Sequence, residues 1–270
     1  MSLEAPATAM AASLVVAPEE LQRVDCVADV HLHAEDAATA LAFEQHVVHG
    51  RFDALLILGD LFEVWVGDDL LQGDDAQAAL ARRLAQALRH VSQQRPVWLM
   101  HGNRDFLLGA DFAAASGATL LPDPAVLALG GWRWLLSHGD AWCVADRDYQ
   151  AWRAQARSNA WRTAFLAQPL ADRLRQARQL RAQSRQHQAQ RQQAGHPWAD
   201  VDEHVVDEAR RRAGADGVIH GHTHRPAVHR LPSGAPRLVL SDWDAQATPP
   251  RLQVLRLAPG GGWSTVVPGS

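Results

Sequence analysis

Five short polar segments occur in order along this chain: Asp29-Val30-His31, Gly59-Asp60, Gly102-Asn103-Arg104-Asp105, Ser137-His138-Gly139-Asp140 and Gly221-His222-Thr223-His224. Each holds residues able to ligate metals, and the last four also contain glycines that let a backbone turn. The first three follow apolar runs, Val24 to Val27, Ala54 to Leu58 and Pro96 to Met100, which read as buried strands. In an open α/β sheet the residues that follow the strands emerge together at one edge. The chain therefore has to fold so that carboxylates, imidazoles and one amide converge, which is what a metal centre needs.

The surrounding pattern is that of a layered α/β protein. From Val24 to Leu121, β-type runs alternate with helical stretches, among them Asp36 to Val48, with Asp36 as N-cap, and Asp74 to Val91. The runs Trp132 to Ser137 and Gly217 to His220 again deliver histidines to strand ends, and Arg237 to Ser241 and Leu252 to Leu257 supply late strands. Between them, Asp146 to Gly195 is rich in Ala, Gln and Arg and has no glycine before Gly195, so it is expected to be helical, with Pro169 dividing it into at least two helices. The expected organisation is a frayed leader at 1–21, a core made of 22–145 and 196–270, and a helical cap insertion at 146–195.

Composition narrows the function. The apolar runs are far shorter than the roughly 20 residues of a membrane-spanning helix. Met1 to Ala17 lacks a basic region and carries Glu4, against a secretory signal. Cys26 and Cys143 are too few for a disulfide framework, so a reducing, cytoplasmic compartment is expected and packing is the reading for both. A net charge of -4 does not suggest general nucleic-acid binding. Yet all 26 basic residues are Arg, and ten of them fall between Asp146 and Trp198 against three Asp, so an anionic ligand or surface belongs to that segment.

Two divalent ions that clamp a phosphoryl group need a carboxylate able to bridge them. Asp60, at the end of an apolar strand and after Gly59, whose missing side chain leaves room beside the backbone, is the expected bridge. Asp29 and His31, two apart on an extended segment, point to one side and suit the first ion. Asn103 can offer an amide oxygen to the second ion and an NH2 group to a phosphate. Arg104, always protonated, can stabilise charge at phosphorus but cannot serve as the acid. Asp105 reads as a helix N-cap or an orienting group rather than a ligand. His138, His222 and His224 complete the imidazole supply, with Asp140 placed to hold one of these rings, while His101 and His220 are expected to point away.

These motifs carry a resemblance. The series D-x-H, G-D, G-N-x-D, H and G-H-x-H resembles the calcineurin-like metallophosphoesterases, with Arg104 where that superfamily usually has histidine. The longer strings Gly59 to Asp69, His101 to Gly109 and His220 to Ala227 are similar to the UDP-2,3-diacylglucosamine pyrophosphatase family of lipid A biosynthesis, and the similarity covers about residues 22–257. It implies a layered α/β metallophosphoesterase β-sandwich flanked by helices. It also implies water attack on the α-phosphorus of UDP-2,3-diacylglucosamine, giving UMP and 2,3-diacylglucosamine 1-phosphate. Two ions, manganese in this family, would be held by Asp29, His31, Asp60 and His224, and by Asp60, Asn103, His138 and His222. Catalysis would rest on Asp60, Asn103 and Arg104, and substrate contacts would fall on Asn103, Arg104, Asp146, Ser184, Gln188, Arg191 and His222. Gln188 stands where the family has asparagine and Arg191 where it has lysine.

An Arg-bearing, Trp- and Leu-bearing insertion suits a glycolipid with a nucleotide head, and peripheral contact with the anionic inner face of the inner membrane is expected. No nucleic acid partner is expected, and the oligomeric state stays open. The alternatives are a general nucleotide-sugar pyrophosphatase of the same superfamily and a non-catalytic scaffold.

Overall fold

The computed structural model describes residues 13–16, 18, 20–193 and 200–270, excepting the side chains of Val16 and of residues 183–193. Its strands are β1 Ser13–Val16, β2 Val24–Val27, β3 Ala54–Leu58, β4 Val97–Met100, β5 Thr119–Leu121, β6 Ala125–Leu129, β7 Trp132–Ser137, β8 Gly217–His220, β9 Ala227–Arg230, β10 Pro236–Val239, β11 Val254–Leu257 and β12 Trp263–Val266. Its helices are α1 Ala37–His49, α2 Ala76–Ser92, α3 Ala110–Ser116, α4 Arg147–Ala156, α5 Asn159–Leu166, α6 Leu170–Gln193 and α7 Glu203–Arg212. Among the described residues the strands form two sheets, in the orders β12-β11-β2-β3-β4-β5 and β1-β6-β7-β8-β10-β9.

Side chains alternate across a strand, so each apolar run feeds two cores. In β3, Leu56 and Leu58 join Cys26 and Met100 against Leu127, Trp134, Leu136 and Ile219 of the other sheet. Leu55 and Ile57, one residue out of phase, pack instead with Phe43 and Val47 of α1 and Leu84 and Leu88 of α2. On the second sheet Val126, Leu135 and Val218 turn outward to Val206 of α7. The result is helix, sheet, sheet, helix: the α/β sandwich expected from the sequence. α1 starts where Asp36 accepts from Thr39 N at 3.1 Å, and α2 where Asp75 accepts from Ala78 N at 2.8 Å.

Several boundaries depart from the sequence reading. Residues 13–16, inside the segment expected to fray, form β1, which pairs in parallel with β6; pairing with a distant strand, not a local turn signal, orders them. β10 ends at Val239 rather than Ser241, and β11 begins at Val254 rather than Leu252, because Asp244 and Arg251 pair in a separate bridge between them. Strands β5, β6, β9 and β12 and helices α3 and α7 were not assigned from the sequence.

The segment after β7 is helical in three pieces. Arg157 ends α4, Ser158 caps α5 by accepting from Trp161 N at 3.3 Å, and Pro169 precedes α6. Trp161 stacks on Phe165 with ring centroids 4.5 Å apart and lies 6.0 Å from Phe106 of the third motif's loop. Arg173 of α6 is buried and donates to the Val66 carbonyl and the Asp69 carboxylate. These contacts seat the helices over the ends of β3 and β4.

Candidate metal centre

The five motif loops leave the C-terminal ends of β2, β3, β4, β7 and β8. Asp29, His31, Asp60, His222 and His224 have φ between 52° and 67°, and among the described residues they are the non-glycine positions with positive φ. A side chain held there costs about 1–3 kcal/mol, sustained only where neighbours over-determine the backbone. The extended conformation expected for Asp29 and His31 is therefore corrected. Both lie in a left-handed turn beyond β2, stitched to the next loop by Asp29 N to Gly59 O at 3.1 Å and His31 N to Asp60 O at 3.0 Å.

Asp105 holds the neighbouring loops. Its carboxylate accepts from Gly102 N and Leu61 N, each at 2.8 Å, and from Asp60 N at 3.3 Å, so it is the orienting group and not a helix cap. The capping role on α3 belongs to Asp68, which accepts from Gly109 N, Asp111 N and Phe112 N. Gly59, with φ +89°, has a role different from the one expected: a Cβ there would meet the Gly102 backbone at 2.6 Å and His138 Nδ1 at 2.7 Å. Its bareness admits a neighbouring loop and a ring rather than an ion. At Gly102 a Cβ would fall 2.0 Å from Asp60 Oδ1.

The side chains gather in two groups that share Asp60. In the first, Asp29 Oδ1 lies 3.4 Å from His224 Nε2 and 3.9 Å from His31 Nε2, and His31 Nε2 lies 3.9 Å from Asp60 Oδ2. In the second, Asn103 Oδ1 lies 3.0 Å from His138 Nε2 and 2.9 Å from His222 Nδ1, and His138 Nε2 lies 3.8 Å from Asp60 Oδ1. Thus Asp60 turns one oxygen to each group.

The charges of the cluster without metal are strongly interdependent. Burial works against the Asp29 charge, but the close His224 imidazole, with His138 and His31, outweighs it and holds the carboxyl well below the usual range. Burial raises Asp60 and lowers His31. His138, despite burial, is raised to about 9 by Asp60, Asp29 and Asp140, whereas His222 falls to about 3 through burial and the neighbouring His138.

Two observations bear on whether divalent ions fit. Asp29 Oδ1 is buried without a hydrogen bond, and the Nε2 atoms of His31 and His224 face one another at 3.2 Å, close enough for both to turn a lone pair to one cation beside that oxygen. Carboxylate, imidazole and amide oxygen together suit first-row divalent ions. The residues fit such ions.

Asp140 does not hold a histidine ring, contrary to expectation. Its buried carboxylate accepts from Tyr149 OH at 2.5 Å and Arg153 Nε at 2.8 Å, and lies 3.4 Å from Arg157. Burial opposes this charge, but Arg157, His138 and Arg153 hold the carboxyl well below its ordinary range. Arg157 also donates to Gly102 O at 2.9 Å, and the Tyr149 ring stacks over His222 at 6.1 Å. Asp140 thus ties α4 to the loops of the second group. Sequence reading missed Tyr149, Arg153 and Arg157, although their four-residue spacing on one helix face was a usable signal.

Of the expected substrate positions, Arg104 stands at the mouth with its side chain one-quarter exposed, and Asp146 caps α4 by accepting from Tyr149 N. Ser184, Gln188 and Arg191 lie on α6 in the stretch whose side chains fall outside the described residues. His101 bonds Leu108 O and His220 bonds Gly221 O and Arg237, away from the cluster as expected. Among the described residues no helix is long and apolar enough to cross a membrane.

Two stacked sheets with candidate metal ligands on the loops at their strand ends are the architecture of a calcineurin-like phosphoesterase, and that family matches residues 22–226. UDP-2,3-diacylglucosamine hydrolases are similar to the chain over most of its length. The relative from Chromobacterium violaceum is 47% identical over 220 residues, 80% of this chain and 89% of its own. That from Ralstonia nicotianae is 46% identical over 244 residues, 87% and 88%, and that from Stenotrophomonas maltophilia 41% over 249 residues, 88% and 95%. The chain belongs to the UDP-2,3-diacylglucosamine hydrolase family of the calcineurin-like phosphoesterases.

Proposed function

We propose that this protein hydrolyses the pyrophosphate bond of UDP-2,3-diacylglucosamine in lipid A biosynthesis, releasing UMP and 2,3-diacylglucosamine 1-phosphate. The observation that carries the reading is Asp60, with one oxygen toward each of two ligand groups beneath an arginine-bearing helical insertion. Asp29, His31, Asp60 and His224 are assigned to one divalent ion and Asp60, Asn103, His138 and His222 to the other, with Mn2+ as the ion. When bound, two such ions lower the pKa of water and draw charge from phosphoryl oxygens.

The chain's own groups do the rest. A water oxygen bonds to the α-phosphorus as the bond from that phosphorus to the bridging oxygen breaks; the sugar phosphate leaves with that oxygen and its electron pair, and the attacking water gives up its proton to solvent. Arg104 stabilises the charge that develops on the phosphoryl oxygens, and the Asn103 amide NH2 donates to one of them. Asp146, Ser184, Gln188, Arg191 and His222 are assigned to the bound substrate. The departing phosphate is a good leaving group at neutral pH, so no side chain is required as its acid.

Leu166 and Leu180, both exposed on the arginine-bearing helices, support a place for acyl chains and for peripheral contact with an anionic membrane surface, here assigned to the cytoplasmic face of the inner membrane. The direct test is UMP release from UDP-2,3-diacylglucosamine by metal-stripped protein with and without Mn2+, beside the deacylated sugar nucleotide. Manganese-dependent turnover of the acylated substrate alone is expected. Equal turnover of both would favour a general nucleotide-sugar pyrophosphatase, and turnover of neither would overturn the reading. Flotation with anionic vesicles at low salt tests the membrane contact, which fails if the protein stays with the unbound fraction.

A further inference from the structure

The outer nitrogens of the clustered imidazoles differ in what faces them. His138 Nδ1 donates to the Leu58 carbonyl at 3.0 Å, a backbone group that no substitution removes. His224 Nδ1 is 3.9 Å from Asp242. His31 Nδ1, buried and without a hydrogen bond, lies 3.0 Å from Glu63 Oε2. Glu63 belongs to none of the five motifs. Its place is set by the pairing of the loops after β2 and β3: Leu32 and Phe62 form a parallel bridge, and Glu63 N donates to Leu32 O at 3.2 Å. The other oxygen, Oε1, lies 3.9 Å from Arg104 and is ion-paired with Arg181 of α6.

Resting on the metal assignment made under the proposed function, we propose that Glu63 is a positioning residue that couples the first metal site to the helical insertion. One oxygen orients the His31 ring so that Nε2 faces Asp29, Asp60 and His224, and the other holds α6 through Arg181 and keeps Arg104 at the mouth. A carboxylate opposite the outer nitrogen of a ligating histidine sets its tautomer and basicity, and losing such a partner costs about ten- to a hundredfold in metal affinity. Among the described residues Asn103, His138 and His222 make no hydrogen bond or ion pair with Glu63 or His31, and His138 rests on Leu58 instead, so the loss should fall on one site.

The test is Mn2+ titrated into metal-stripped full-length protein, with free Mn2+ read by electron paramagnetic resonance, and hydrogen exchange of α6 followed in parallel. The wild type should bind two Mn2+. Glu63→Gln, which preserves volume, should keep one site at wild-type affinity and weaken by about ten- to a hundredfold the site that His31→Gln also loses. Its α6 amides should exchange faster. Arg181→Ala should speed α6 exchange with both affinities unchanged. A purely structural role would lower the melting temperature and leave both affinities alone, so two wild-type affinities in folded Glu63→Gln overturn the proposal, as does equal weakening of both sites. A wild type that does not bind two Mn2+ overturns the metal assignment itself, whatever the variant does.

Discussion

A carboxylate that serves two ligand groups at once has no neutral substitute, and Asp60 is in that position, 3.9 Å from His31 Nε2 through one oxygen and 3.8 Å from His138 Nε2 through the other. Asp60→Ala is expected to remove both Mn2+ ions and, with them, at least about a hundredfold of activity, since a ligand matters no less than the groups that orient it; equilibrium dialysis and UMP release check the pair together. Arg104→Ala should retain both ions and lose about 10²–10³ in kcat, the usual cost of one group that stabilises transition-state charge. His138 supplies a pH dependence. Its imidazole is raised to about 9 in the metal-free cluster, so at neutral pH it carries a proton that an ion must expel. Mn2+ affinity should therefore rise with pH and level off near 9, with protons released on binding, as calorimetry in buffers of different ionisation enthalpy would register. The stability this charged ring lends the metal-free protein is fully present below its ordinary pKa of 6.5 and is lost as pH rises through about 9, so melting of chelated protein should show a falling contribution in that window. Neither role needed the structure to be suspected, because a strand-terminal aspartate after glycine and a histidine in a polar motif are visible in the chain. What was hidden is the left-handed backbone at Asp29 and His31, which depends on hydrogen bonds to Gly59 and Asp60.

At the scale of the element, α4 is held less by apolar burial than by Asp140. The carboxylate collects Tyr149, Arg153 and Arg157, and Arg157 reaches on to the carbonyl of Gly102. Asp140→Ala takes the buried partner away from half-buried Arg153 and Arg157 and leaves the Tyr149 hydroxyl without its acceptor, a loss of about 1–3 kcal/mol. Its expected signature is faster amide exchange over residues 147–157 and weaker Mn2+ binding at the Asn103 side, read by hydrogen exchange and metal titration. The helical character of the insertion and its break at Pro169 were readable from composition, and Asp36 as the cap of α1 from chain-local chemistry, whereas the break at Ser158 and the cap Asp75 were not read. The anchorage was not readable, since the partner of Asp140 had been expected among the histidines. Strand β1 was missed for a related reason: four residues without flanking turn signals become a strand only when β6 offers its edge.

For the whole molecule, the stacked sheets are what bring the motif loops together. Leu56→Ala, on the face shared by both sheets, should destabilise by about 2–5 kcal/mol, the range for a buried leucine that leaves a cavity, measured by denaturant unfolding of the metal-free protein; because the sheets carry the loops, Mn2+ affinity at both sites should fall as well. The two cores were legible in the alternation of Leu55, Leu56, Ile57 and Leu58, each of which packs by its parity. The sequence by itself determined which candidate ligand types the chain carries, their order and the strands that deliver them, because period and composition act between near neighbours in the chain. Only the tertiary structure decided that His31 meets His224 across 193 positions at 3.2 Å, that Asp140 grips a helix, and that Glu63 stands behind His31. Those pairings arise from how two sheets stack and how their edge loops cross, and no local signal in the chain encodes them.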